Sequence, residues 1–242
     1  MNGVKTSEIG TLAIIPARGG SKGIVRKNMQ EISGRSLVGH AIHFAQASGL
    51  FDAVHLSTDD PEIAREGDRY GCFPSFMRSS EASGDRASAT DVIREVRKCL
   101  LDDGKRVQRY VLLEPTSPMR EARFVSQAIE LTKQRFDASL TVSQIDLKFH
   151  ADKQFTVSRE GDAKFLTERG SSVVARQELV ATYIRNGFCY VVNDRAIADG
   201  HSIFGSRLAA VICDIPYVNI DSLEELELCR KLMARSTNQA QA

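Results

Sequence analysis

The sequence predicts an α/β fold with a mostly parallel sheet flanked by helices. Two observations carry that expectation. Short apolar runs alternate with segments of helical period along most of the chain, the pattern of repeated strand–helix units. The first apolar run, Leu12 to Pro16, also ends directly in a glycine-rich turn, the place where open α/β sheets put their ligands.

Taken in order, residues 12–16 read as a buried first strand. Leu37, Ala41, Phe44, Ala45 and Ser48 recur at helical spacing, with Gly49 as the stop. A second strand, Ala53 to Ser57, runs into the acidic pair Asp59 and Asp60, and Pro61 suits the first position of a helix reaching about Tyr70. Val92, Val96, Cys99 and Leu100 share a helical face, and Tyr110 to Leu113 reads as a strand. Phe124 to Thr132 is expected to be helical and Ser139 to Val142 extended. The stretch from about Ile145 to Arg185 is more polar and less periodic, an excursion suited to a substrate or a second subunit. Strand character returns at Gly187–Val192 and Ala209–Ile212. Ser222 with Glu225 three residues on is a capping box that opens the last helix. Residues beyond Arg235 are polar and expected to fray. One domain over residues 1–242 is the expectation.

Composition narrows the function classes. The 242 residues carry a formal net charge of +1, with no run of like charge, which removes the electrostatic case for a nucleic-acid partner. No stretch reaches the ~18 apolar residues of a membrane span, and the first nine residues lack the apolar core of a signal peptide. Cys72, Cys99, Cys189, Cys213 and Cys229 are far apart in sequence, with no CxxC pair. That arrangement argues for buried thiols in a reducing compartment rather than a disulfide frame or zinc site, and so for a cytoplasmic protein.

The loop Ala17 to Ile24 holds three glycines in five residues, Gly19, Gly20 and Gly23, which let the backbone bend tightly and offer N–H groups to an anion. Arg18 and Lys22 add positive charge, followed by Arg26, Lys27 and Asn28. Such a loop suits a triphosphate. It is neither GxxxxGK[ST] nor GxGxxG, so a P-loop and a dinucleotide fingerprint are both excluded.

The segment IIPARGGSKGIVRKN (residues 14–28) resembles the signature of the acylneuraminate cytidylyltransferase family. STDD at 57–60, Arg78 before Glu81, PTSPMR at 115–120, RNG at 185–187 and IDS at 220–222 continue the resemblance across nearly the whole chain. It implies a Rossmann-like nucleotide-diphospho-sugar transferase fold, a homodimer, and transfer of CMP from CTP to a nonulosonic, sialic-acid-like keto acid sugar with Mg²⁺; a transferase for the eight-carbon sugar KDO and a non-catalytic CTP-binding homologue stay open as alternatives.

It also implies roles. Arg18, Gly19, Gly20, Ser21, Lys22 and Asn28 would cradle the CTP phosphates, with Arg18 and Lys27 stabilising charge on the leaving pyrophosphate. Arg78 would read cytosine through its paired, coplanar donors. Here the chain departs from the family's RPxEL pattern, with Ser79 in place of proline. The family's metal-binding Asp-x-Asp becomes Asn219-Ile220-Asp221, two hard oxygen donors on one strand face; Asp221 could instead help cap the last helix. Glu114 stands where glutamine is usual, which is unfavourable beside an acceptor carboxylate unless Glu114 meets a hydroxyl or an amine. The expectation is therefore an amino- or N-acyl-substituted sugar. Arg176 and Arg185 are candidates for the sugar carboxylate, with Lys148 a third. No residue stands out as general base; His40 and His43 lie in the first helix.

Overall fold

A computed structural model of the chain describes residues 7–20, 23–173 and 175–240, with the side chains of Arg176 and of residues 236–240 outside the description. Ser21 and Lys22 fall outside the described residues.

The elements follow the predicted alternation. Strand β1 (Ser7–Pro16) leads through the glycine-rich loop to a small hairpin, β2 (Glu31–Ile32) and β3 (Arg35–Ser36), and helix α1 (Leu37–Ala47). Then come β4 (Ala53–Ser57), α2 (Pro61–Asp68), the short α3 (Ser80–Ser83), α4 (Ala89–Asp102) and β5 (Lys105–Leu112). Helix α5 (Ala122–Gln134) and β6 (Ala138–Gln144) follow, then the excursion with hairpin β7 (Phe155–Val157) and β8 (Ala163–Phe165). The chain closes with β9 (Tyr183–Asn193), α6 (Asp194–Ala198), β10 (Leu208–Ile212) and α7 (Leu223–Ala240).

The six long strands form one sheet in the order β10-β6-β9-β5-β1-β4. β1 pairs in parallel with β4 and β5, and β10 with β6, whereas β9 runs antiparallel between β5 and β6. The register of β6 against β9 shifts between Leu140 and Val142, and the Thr141 side chain fills the break. Its hydroxyl accepts from Cys189 N at 3.1 Å and lies 3.3 Å from Cys189 O.

Helices cover both sheet faces, so β1 is apolar without alternation. Leu12 and Ile14 pack on one face with Val92, Ile93 and Val96 of α4; Ala13 and Ile15 pack on the other with Ile42 of α1 and Val125 of α5. Each such large side chain contributes roughly 1.5–3 kcal/mol of burial. A third cluster joins Ile24, just after the glycines, to Ile220, Leu226 and Cys229 near the end of the chain. Four of the five thiols are buried and Cys99 is partly so.

Several boundaries differ from expectation, β5 among them, which starts at Lys105 rather than Tyr110. β1 begins at Ser7 because its edge pairing with Lys105 and Arg106 carries the polar residues Ser7 and Glu8 into the ladder. β9 begins at Tyr183, because it pairs with β6 as far as Gln144. α7 continues past Arg235 to Ala240: once the capping box nucleates a helix, each further residue adds a hydrogen bond. That box is present, with Glu225 Oε2 accepting from Ser222 N at 2.9 Å and Ser222 Oγ accepting from Glu225 N at 3.3 Å.

The excursion is short 3-10 turns and the β7–β8 hairpin, held by a buried polar knot. His150 Nδ1 accepts from Asp152 N at 3.1 Å, its Nε2 sits 3.0 Å from Val180 O, and Thr167 Oγ1 donates to Asp152 at 2.7 Å.

Candidate functional site

Because β1, β4 and β5 are parallel, their carboxyl ends share one sheet edge. β9 enters that edge from the other direction, bringing Arg185, Asn186 and Gly187 there by pairing with the end of β6. The loops at this edge enclose a cleft of about 430 Å³. Seven of the residues singled out from sequence line it: Arg18, Lys27, Asn28, Arg78, Glu114, Asn219 and Asp221.

The loop after β1 forms one wall. Gly19 N donates to Asp59 Oδ1 at 2.9 Å, and a Cβ on Gly19 would lie 2.5 Å from Asp60 Oδ2, so only glycine allows this approach. Asn28 is buried and donates to the Arg18 carbonyl at 2.9 Å; it braces the loop from inside. The Arg18 guanidinium stays loosely held, 3.4 Å from Gly84 O and 3.5 Å from Asp85 Oδ1. A Cβ on Gly20 would meet nothing within 4 Å, so packing does not demand glycine there.

The floor joins distant parts of the chain. Lys27 Nζ pairs with Asp221 Oδ1 at 2.6 Å, with Lys27 largely covered and Asp221 largely exposed. The last helix is capped by Ser222 and Glu225, and Glu225 Oε2 also takes Asp221 N at 2.8 Å. The Asp221 carboxylate has no part in that cap, which settles against the capping reading. Asn219 Oδ1 lies 3.4 Å from Ser117 Oγ on the same wall.

Arg78 forms the back. It is buried; Nε donates to Ser57 Oγ at 3.0 Å and Nη2 to the Ser57 carbonyl. Burial pulls its pKa down to about 10, against the pull of Asp59 and Glu95. Beside it His55, also buried and stacked on Phe76 at 4.6 Å, has its pKa lowered to about 4 by desolvation first and the Arg78 charge second.

The far wall belongs to Glu114, whose side chain packs on Gly187. Gly187 has φ +74, and a Cβ there would come within 2.5 Å of Glu114 Oε2 and 2.4 Å of Ser117 Oγ. Burial raises the Glu114 pKa; Arg120 and Arg185 oppose the shift, and Asp221 adds to it. Arg120 is the residue that sequence reasoning missed. It is buried, donates from Nε to Phe188 O at 3.0 Å and from Nη2 to the Glu114 carbonyl, and so ties the loop after β5 to β9. The available signal was its place at the end of the PTSPMR motif.

The sugar-side candidates divide. Arg185 does not line the cleft; it is exposed, 5.6 Å over the Phe204 ring, and close enough to act on Glu114. Lys148 does not line the cleft; it pairs with Asp146 at 3.5 Å beside the Phe149 ring. Arg176 lies in a 3-10 turn of the excursion, its side chain outside the description.

A family model described as cytidylyltransferase matches residues 12–236. This chain belongs to the cytidylyltransferase family. Over 201 residues it is 33% identical to an N-acylneuraminate cytidylyltransferase of Streptococcus agalactiae, covering 82% of this chain and 47% of that one. Over 222 residues it is 28% identical to a pseudaminic acid cytidylyltransferase of Campylobacter jejuni, covering 91% and 95%. The chain thus spans about half the length of the first relative and nearly all of the second. In fold this cytidylyltransferase is similar to a CMP:2-keto-3-deoxy-manno-octonic acid synthetase solved with CTP, at a TM-score of 0.70 and 19% identity over 94% of this chain and 99% of that one.

The raised Glu114 pKa has a stability consequence. The folded state holds that proton more tightly than the unfolded chain, so the group's contribution is complete below the unfolded value near ~4.3 and is lost as pH rises through the folded value. Glu114→Gln, which stays neutral, is therefore expected to gain melting temperature relative to wild type as pH goes from about 5 to about 8. Paired thermal melts across that range check the sign; a gain that shrinks with rising pH contradicts it.

Proposed function

We propose that this cytidylyltransferase joins the CMP group of CTP to a nonulosonic, sialic-acid-like 2-keto acid sugar and releases pyrophosphate. The observation that carries the reading is the convergence of Arg18, Lys27 and Arg78 with Asp221 in one cleft at the strand ends. The anomeric hydroxyl oxygen of the sugar attacks the α-phosphorus of CTP as the bond to the β-phosphate breaks, and the hydroxyl proton leaves to water. Arg18 and the backbone N–H groups of the loop stabilise charge growing on the pyrophosphate. Gly20, free of packing demands, lets a phosphate oxygen approach the backbone closely. Arg78, fixed by Ser57, meets the carbonyl and ring nitrogen of cytosine.

The reading assigns Mg²⁺ to Asp221 and Asn219. Among the described residues no group of three His, Cys, Asp or Glu could cage a metal. One exposed carboxylate and one amide oxygen suit an ion that keeps waters and takes its remaining ligands from substrate phosphates, as Mg²⁺ does. When bound it would neutralise phosphate charge. Lys27, within 2.6 Å of the same carboxylate, supplies positive charge there from the chain itself.

On the acceptor side Arg185 is the candidate for the sugar carboxylate, and Glu114 favours a hydroxyl or amine. Phe149, Phe155, Val157, Phe165, Leu166 and Val180 leave the excursion with exposed apolar side chains, which supports a homodimer formed through it. The five free thiols suit a cytoplasmic setting.

Pyrophosphate release with CTP, Mg²⁺ and a panel of nonulosonic acids and the eight-carbon keto acid tests the activity. Release with a nonulosonic acid, absent with ATP or GTP, is expected, and amine-bearing acceptors should lose their advantage in Glu114→Gln. Arg18→Ala should lower kcat roughly 10²–10³-fold. Silence across the panel, or release indifferent to Arg18, sinks the reading. Sedimentation at monomer mass at micromolar concentration would contradict the dimer.

A further inference from the structure

Where the cytidylyltransferase pattern has proline after the base-facing arginine, this chain has Ser79. Proline fixes φ near −65° and has no N–H to give. Ser79 sits at φ −68 and ψ 162, the conformation a proline would impose, so the loop keeps the shape without the ring. Its N–H is also in use: it donates to Glu95 Oε1 at 2.8 Å, linking the loop to the middle of α4.

Glu95 is an unusual partner for so small a task. Its second oxygen, Oε2, is buried with no hydrogen-bond partner among the described residues. A buried carboxylate oxygen left unpaired is unfavourable, so fold stability does not explain the arrangement. Its other oxygen restrains Ser79, the residue next to Arg78. The Arg78 guanidinium is 7% exposed, and the two anions that support its charge are Asp59 and Glu95. Asp59 is already bound to Gly19 N on the phosphate-side loop. Neither Ser79 nor Glu95 lines the cleft; both face a separate groove with Lys98 and Asp102. Ser79 is next to Arg78 in sequence, and its hydroxyl also caps α3, whose Ala82 lines the cleft.

We propose that the Ser79–Glu95 contact is a positioning device for Arg78, standing in for the absent proline and setting the discrimination of cytosine from uracil. The inference rests on the reading that Arg78 meets the base. A guanidinium offers only donors. Cytosine presents two acceptors to it, whereas uracil presents a donor at the ring nitrogen, so a small rotation of Arg78 erodes the preference.

Calorimetric titration with CTP and with UTP, each with Mg²⁺, measures that preference without knowledge of the acceptor. Glu95→Ala is expected to lower the CTP-to-UTP affinity ratio about tenfold, a change of about 1.4 kcal/mol. Adding Ser79→Pro to Glu95→Ala should restore most of the ratio, because the ring supplies the φ restraint and no carboxylate is left unpaired. Glu95→Gln, which keeps an acceptor for Ser79 N, should retain most of it. Melting temperatures in parallel separate positioning from stability. An unchanged ratio with a lowered melting temperature in Glu95→Ala, or a proline that deepens the loss, overturns the proposal. If Arg78→Lys lowers the ratio while Glu95→Ala does not, only this proposal fails. If Arg78→Lys leaves the ratio unchanged, the base reading fails and takes the proposal with it.

Discussion

The site depends on the packing that brings Lys27 and Asp221 into contact. That contact spans 194 residues of sequence and closes the floor of the cleft. An ion pair with one partner this exposed contributes little to stability, on the order of 0–1 kcal/mol. What holds the two segments together is apolar: Ile24 beyond the glycines packs with Ile220, Leu226 and Cys229. Gly23 lets the loop close on the Asp221 carbonyl, where a Cβ would come within 2.4 Å. Ile220 N adds a hydrogen bond to Thr116 O at 2.9 Å. Packing places the charges, and the charges are left free for chemistry.

Sheet topology does the rest. Parallel β1, β4 and β5 deliver the glycine loop, the Ser57–Asp60 turn and the Glu114–Arg120 turn to one edge. The antiparallel β9 adds residues that arrive before its paired core rather than after it, which is why Gly187 packs against Glu114 and Ser117 behind the cleft wall. Arg120 then locks two of these segments together through their carbonyls. Arg78 and Arg120 are fixed by internal hydrogen bonds, the kind of framework that electrostatic preorganisation requires.

Much of this was legible in the sequence. The apolar runs of β1 and β4, the proline opening α2 and the Ser222–Glu225 box each have a local physical cause, and the structure places them as read. The glycine loop was read as an anion site from its glycines and the density of its cations, and the structure puts Arg18, Lys27 and Asn28 in one cleft. The direction of β9 was not: Gly187–Val192 is equally apolar in either orientation, and only pairing partners decide. Arg120 and Glu95 escaped for a related reason. A buried arginine or glutamate looks like any surface charge until the carbonyls or N–H groups it serves are brought in from elsewhere in the chain. Lys148, the weaker candidate for the sugar carboxylate, does not line the cleft and lies beside Asp146 and Phe149.

The central claim is that Asp221 and Lys27 form the charge-handling floor of a CTP site. The most direct measurement is CTP affinity as a function of Mg²⁺ concentration, in wild type and in Asp221→Ala. The account predicts that wild-type affinity rises with Mg²⁺ and that the variant loses most of this response while keeping its fold. An identical Mg²⁺ response in both proteins would contradict it.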